Sequence, residues 1–520
     1  MLMQTTALTI FLYLWMLPLA HSELIQILHT NDIHSHLEQA IHKPDLGGYG
    51  RLKNLIEKEK NKAAAEGIGS LVLDAGDFLE GNIYYLASNG RKTFNVIDSV
   101  GYDAVALGNH DYLMGLADLD NLLGQVPVSF NFLCANLQAD AKLKNINKKI
   151  LPYMEKTING VKVGIIGVTG NDILYKWRLG DGTLKNETET VRQWAKVLRE
   201  RGNNLIIALT HIGLPQDMLL AFNVSEIDLI VGGHSHNALH DVMWVHSKEG
   251  KSIPIVQAGK HAEWLGKLRV DYNHQEQKLK IASYELLPVN EIPGDQKIDE
   301  LVKAANIDLD NLFGSGWLSE IVGQSKLRPQ HQGGNEDIWM YFINDAMMDT
   351  VKSDIAIHVG PLSGNNYPIT GPITRRDLYN SNPRQFEFEN IKGYSIYTAR
   401  VRGFWIKLTM KVVMSLGLPL YFSGITFDYT TKKQKYNIDK IRIQGEKIKL
   451  FKPYKVTISE AIVRASQAIS PWFKVVLSFP QNWKIPMIKA LESRMRNIGT
   501  ITEDYRPNEF RMRAPDHHGL

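Results

Sequence analysis

The stretch "LHTNDIHSH", residues 28–36, decides how this 520-residue chain reads. It continues an apolar run, "ELIQI", and then sets Asp32, His34 and His36 at alternate positions. In an extended segment, side chains two apart share a face, so Asp32 and His34 are expected to project together, with His36 one step farther out. A carboxylate and an imidazole on one face are placed to hold a cation between them.

Four more apolar runs stop in the same way. "SLVLDAGD" ends at Asp77, "DAVALGNHD" reaches Asn109 and His110, "NLIIALTH" ends at His211, and "DLIVGGHSH" carries His234 and His236. Runs this short, rich in Leu, Ile and Val and closed by Gly or Asn, read as buried strands. Helix-like segments alternate with them, as in "GYGRLKNLIEKEKNKAAAEG" and "TETVRQWAKVLRERG". The alternation predicts an α/β core whose strands are covered on both faces, with ligands gathered at their carboxyl ends.

The donors exceed one four-coordinate shell: imidazoles at His34, His211, His234 and His236, carboxylates at Asp32 and Asp77, and the Asn109 amide. A carboxylate has two oxygens, so Asp77 in "GDFLEG" can bridge two ions. Such a pair clamps the oxygens of phosphoryl transfer and acidifies a water between the ions. The mixed N/O set suits two divalent ions of the zinc or manganese kind better than calcium. His29 and His36 are read as structural or as supporting the ligands from behind.

Length predicts two domains, and 44% hydrophobic with 22% charged residues places the chain among globular proteins. A formal charge of +4 without a Lys/Arg block argues against a nucleic-acid partner. The apolar run from Ala7 to Leu17, followed by small residues, reads as a signal peptide over residues 1–22. "FRMRAPDHHGL" at the end lacks the hydrophobic tail of a lipid-anchor signal, so a secreted protein with no membrane anchor is expected. Sequons at Asn186 and Asn223 are the candidate glycosylation sites. The single cysteine, Cys134, excludes an intrachain disulfide and reads as a buried small hydrophobe.

The segments "LHTNDIHSHLE", "DAGDFLEG", "ALGNHD", "LTHIG" and "GGHSH", in this order, resemble the five metallophosphoesterase motifs of the 5'-nucleotidase family, which includes secreted apyrases of arthropod saliva. "IPIVQAGKHAEWLGKLRVDY" resembles the last strands of that family's catalytic domain, and "YKVTISEAIV" a strand of its C-terminal domain. The resemblance implies a calcineurin-like α/β sandwich over residues 23–295, a linker helix and loop over 296–333, and a smaller α/β domain over 334–515. It assigns Asp32, His34, Asp77 and His236 to one metal and Asp77, Asn109, His211 and His234 to the other. The implied activity is phosphate release from extracellular nucleotides (ATP, ADP or AMP) by attack of a metal-bound water.

The chain departs from the family in several places. His110 is present to stabilise charge on the phosphoryl group, but Leu113 stands where the family has the Asp that orients this His. Asp111, next to His110, is the expected substitute, so His110 and Asp111 are the candidate catalytic residues. A phosphate-binding Arg is missing after "KSDIAIHVGPLSGNN"; Arg375, Arg376 and Arg384 follow and read as solvated turn residues. The family's base-stacking aromatic is Ala461 here and its base-binding acid is Gln467, with Tyr421, Phe422 and Phe427 as alternative aromatics that strand alternation places in a core. The substrate contacts are therefore open. The rival to catalysis is a secreted family member that binds nucleotide, or a host receptor, without turnover.

Overall fold

The computed structural model describes residues 22–39, 45–112, 115–171, 178–276, 278–327, 338–360, 370–382, 393–415, 420–432, 435–469, 480–505 and 512–513. Residues 1–21 of the expected signal peptide, Leu113, Arg384 and the Gln467 side chain lie outside them.

All five ligand-bearing runs form strands. Ser22–Thr30, Gly69–Asp74 and Ala104–Ala106 run parallel in a seven-stranded sheet, and Leu205–His211 and Leu229–Gly232 run parallel in a six-stranded one. Their apolar residues alternate between two interiors. Ile25, Ile27, Leu71, Leu73, Ile207 and Leu209 face the space between the sheets, whereas Leu28 and Val72 pack on the outer helices of the first sheet and Ile206 and Ala208 on those of the second. A strand buried on both faces has no polar side to show, which is why these runs read as continuous rather than alternating.

The helix Tyr49–Ala65 covers the first sheet with Leu52, Leu55, Ile56, Glu59 and Ala63, spaced for one helical face. On the second sheet lies Glu187–Glu200, whose N-cap is the expected glycosylation residue Asn186; its side chain accepts from Glu189 N at 3.0 Å. Asn186 is exposed and Asn223 half-buried, its amide donating to Leu219 O. Cys134 is buried, which pushes its thiol up to about 12.

A helix, Gln296–Phe313, leads out of this sandwich. The strand Ile321–Ser325, within the span read as linker, pairs with Gly371–Thr374 and Thr500–Ile501. Beyond it a five-stranded sheet places Ile355–Val359 between Leu420–Ser423 and Pro453–Ser459. Its core includes Phe422 and Phe427, rings 5.4 Å apart and edge to face, together with Ala461. Both phenylalanines are thus packing residues, as their alternation predicted.

Arg375 and Arg376 are not solvated. Arg375 is buried, donates to both carboxylate oxygens of Glu492 at 3.0 Å and to Glu320, and lies over the Trp317 ring at 4.5 Å. Arg376 donates to Tyr84 Oη and Asn306 Oδ1, each at 3.0 Å, and so ties the two halves of the chain together. The turn reading fails because their acceptors come from segments distant in sequence.

Candidate active site

No ligand-bearing strand reaches its ligands in extended form, apart from the one ending at His211. The first strand ends at Thr30, and beyond it Asp32 (φ 55°) and His34 (φ 53°) adopt the left-handed conformation, as do Asp77 (60°), His234 (76°) and His236 (58°). Alternation in a strand is therefore not what brings Asp32 and His34 together. Left-handed backbone is uncommon in residues other than glycine and persists where surrounding contacts over-determine it. Here the loops after the first two strands are laced together: Asp32 N donates to Gly76 O at 2.9 Å, His34 N to Asp77 O at 2.8 Å and Ser35 N to Phe78 O at 2.9 Å. His261 N caps Asp32 O at 2.9 Å from the far side. Glycine makes the close approach possible at Gly108, where a Cβ would lie 2.1 Å from Asp77 Oδ1 and 2.3 Å from its backbone nitrogen.

The seven expected metal ligands converge. Asp32, His34 and His236 form one group of donor atoms, and Asp77, His211 and His234 a second. Asn109 joins the second through its Oδ1, 2.8 Å from His234 Nδ1. Asp77 Oδ2 stands between the groups, 3.8 Å from His34 Nε2 and 2.9 Å from His211 Nε2, while its Oδ1 accepts from His110 N at 2.7 Å.

Hydrogen bonds behind the cluster aim the free lone pairs inward. His34 Nδ1 donates to Glu80 O and His211 Nδ1 to Ala75 O, each at 2.7 Å, which leaves both Nε2 atoms turned to the carboxylates. Asp32 Oδ2 accepts from Asn31 Nδ2 at 2.7 Å and His234 N at 2.8 Å, so Oδ1 faces the cluster. Asp32 Oδ1 and His211 Nε2 are buried without another hydrogen-bond partner among the described residues, and His236 Nε2 and Asp77 Oδ2 lie 3.2 and 2.9 Å from them. The Nε2 atoms of His34 and His236 stand 3.1 Å apart. Carboxylate oxygens and ring nitrogens converging in this way are costly to bury alone and fit cations between them.

The electrostatics agree. Burial would raise the carboxyl of Asp32, but His236, His211 and His34 outweigh it and hold the group below the usual carboxylate range; His211 and His34 do the same for Asp77. Burial lowers His34 to about 3, because its carboxylates are too distant to compensate. Against the same burial, His211 is raised to about 10 by Asp77, which is close enough to win. The site is thus anionic and lined with imidazole nitrogen, a setting for divalent transition metals.

His110 is held by a residue the sequence reading passed over. Its Nδ1 lies 2.5 Å from Glu80 Oε2, with both side chains buried. Asp111, expected to serve His110, is occupied elsewhere. Its Oδ1 accepts from the backbone nitrogens of Phe78 (2.9 Å) and Leu79 (3.0 Å), and its Oδ2 from those of Asp77 (3.0 Å) and Gly108 (2.7 Å). It braces the loop that carries Asp77, because its neighbour's main chain, not the imidazole, lies in reach. The one sequence cue to Glu80 is its place in "GDFLEG", three residues after a ligand.

His36 stays outside the donor groups: its Nδ1 donates to Ile33 O at 2.9 Å and its ring stacks on His261 at 3.7 Å. His261, also passed over, sits 6.0 Å from the His34 ring. His29 is buried beside Tyr284, ring to ring 6.1 Å, and burial lowers it to about 3, which fits a packing role.

Comparison with known proteins adds to this geometry. Residues 25–238 match the family model for calcineurin-like phosphoesterases, and residues 321–474 that for the 5'-nucleotidase C-terminal domain. A snake venom 5'-nucleotidase of Gloydius brevicauda is 32% identical over 310 residues, covering 55% of this chain and 52% of that one. The 5'-nucleotidase of Bos taurus is 30% identical over 322 residues, 57% of this chain and 55% of its own. The chain thus spans about half the length of these relatives. A solved 5'-nucleotidase precursor from Thermus thermophilus shares the fold with a TM-score of 0.79 at 21% identity, covering 94% of this chain and 99% of that one.

Proposed function

Because the chain belongs to the 5'-nucleotidase family, with a calcineurin-like phosphoesterase domain followed by the C-terminal domain, we propose that it is a two-metal phosphohydrolase releasing phosphate from nucleotides. The observation that carries this reading is Asp77, whose Oδ2 stands between the His34 and His211 groups. Asp32, His34, Asp77 and His236 would hold one ion, and Asp77, Asn109, His211 and His234 the other, zinc being the metal that suits the donors best. Bound ions of this kind supply Lewis acidity to phosphoryl oxygens and lower the pKa of a water between them. Beside them, His110 presents its ring to the His34 ring at 4.8 Å, where it is placed to donate to a phosphoryl oxygen as charge builds there. Glu80, as acceptor for Nδ1–H, fixes which ring nitrogen is turned to substrate.

The rival reading, binding without turnover, draws on Arg375 and Arg376 being engaged in the protein and on Ala461 lying in the core, where neither phosphate nor base is met. The Glu80–His110 pair weighs against it, since a carboxylate for His110 is present after all. Secretion is proposed from the apolar leader and from the venom origin of one relative; no described helix is long and apolar enough to cross a membrane. Phosphate release from AMP, ADP and ATP, with and without a chelator, tests the function. Chelator-sensitive release supports it, and no release above the chelated control hands the case to the rival.

A further inference from the structure

The most exposed large apolar side chain among the described residues is Phe451, 81% accessible, at the tip of a turn in the C-terminal domain. Leu450 beside it is 44% exposed. The turn is fixed rather than loose: Lys452 N donates to Lys449 O at 3.1 Å, and Lys449 N to Tyr454 Oη at 2.8 Å. It is also pinned to the start of the helix Gly403–Ser415, where Gly403 N donates to Lys452 O at 3.1 Å and Phe404 N to Leu450 O at 2.9 Å.

That helix continues the apolar surface. Ile406, Met410 and Met414 face the core, while Phe404, Leu408 and Val412, spaced four apart, line the outer face and begin where Leu450 sits. Leu408 and Val412 are 47% and 44% exposed. Cations surround this stripe: Arg402, Lys407, Lys411, Lys447, Lys449 and Lys452 are all exposed, and none forms an ion pair among the described residues. Lys452 lies over the Tyr454 ring at 5.0 Å. Across Gly403–Ser415 and Gln444–Pro453 the only carboxylate is Glu446.

We propose that this face docks on an anionic lipid surface, with Phe451 and Leu450 entering the headgroup boundary and the lysines meeting lipid phosphates and carboxylates. Exposed apolar groups of this size mark an interaction site, and a collar of unpaired cations selects a negatively charged partner. A soluble polyanion would use the cations but leave Phe451, Leu450, Leu408 and Val412 in water, whereas a bilayer surface takes both. On the proposed function, the chain would then hold its phosphohydrolase domain near a membrane through this face.

The test is co-sedimentation of the full chain with phosphatidylcholine vesicles and with vesicles in which about a third of the lipid is phosphatidylserine. Binding is expected only to the anionic vesicles, weakening as salt rises. Phe451→Ser, and separately Lys449→Glu with Lys452→Glu, should each weaken it by ~tenfold or more. Melting temperature and phosphate release serve as controls for folding, since these residues lie outside the metal site. Absence of binding to the anionic vesicles, equal binding to both vesicle types, or variants that bind like the parent would overturn the proposal. So would retention on a heparin matrix without vesicle binding, which would assign the face to a glycan.

Discussion

Replacing Glu80 by Gln keeps the side chain's shape and its capacity to hydrogen-bond, and removes only the carboxylate that faces His110 Nδ1 at 2.5 Å. Two consequences are separable because Glu80 acts twice. Its backbone carbonyl accepts from His34 Nδ1 at 2.7 Å, and this contact survives the change, so metal content should hold. Its carboxylate lies in hydrogen-bond reach of His110 and, on the proposed function, would orient that ring and oppose positive charge on it as it donates to phosphate; the substitution removes this. Help of this kind from a positioned side chain is worth about 10² to 10⁴ in rate; with the imidazole still in place, a fall in kcat of about 10²-fold is expected, equivalent to ~2.7 kcal/mol. KM should change little, because the interaction matters most as charge develops. Steady-state phosphate release, with metal analysis of the same samples, reads all three quantities. Adding Leu113→Asp to Glu80→Gln, at the position where the family keeps its carboxylate, should restore part of the loss, while Leu113→Asp alone should do little. A Glu80→Gln enzyme with kcat within about twofold of the parent, or one that loses metal in step with activity, refutes the assignment of Glu80 to His110.

Asp77→Ala should remove more metal than Asn109→Ala, since Asp77 Oδ2 lies 3.8 and 2.9 Å from a histidine of each donor group whereas Asn109 Oδ1 lies beside His234; equal losses in elemental analysis would count against a bridge. In the metal-free chain His211 is raised to about 10 and carries a proton through neutral pH, so ion binding must expel it. Affinity should therefore rise about tenfold per pH unit between roughly pH 6 and 8 for that proton, and calorimetry in buffers of different ionisation heat should show its release. Asp111→Ala strips four backbone N–H groups of their acceptor in a buried loop and should destabilise the fold by about 3 kcal/mol or more, seen as a lower denaturation midpoint even with ions present. Gly108→Ala should abolish metal binding, because its Cβ would strike Asp77; a variant that still binds two ions would show that this loop yields.

The N-terminal domain was legible because its strands are apolar on both faces and stop at residues of one chemistry, a signal that depends only on local sequence. The same reading gave the right neighbours for Asp32 and His34 on the wrong ground, since alternation ends at Thr30 and the left-handed turns beyond it do the converging. No periodicity rule reports such turns, because they are imposed by the backbone bonds to Gly76, Asp77 and Phe78, more than 40 residues away in the chain. The His110 partner shows the limit more sharply. Adjacent position favoured Asp111, yet adjacency on a tight turn sends successive side chains apart, and Asp111 turns to the main chain of Phe78 and Leu79 while Glu80 comes from the preceding strand's loop. Arg375 and Arg376 follow the same logic, with acceptors at Glu320, Glu492 and Asn306 that no local pattern can assign. Donor residues that follow strand ends can thus be picked out from sequence, whereas the groups that hydrogen-bond to them are chosen by the packing of loops. The departure at Leu113 is therefore better judged by what faces His110, which is Glu80, than by the motif position that has changed.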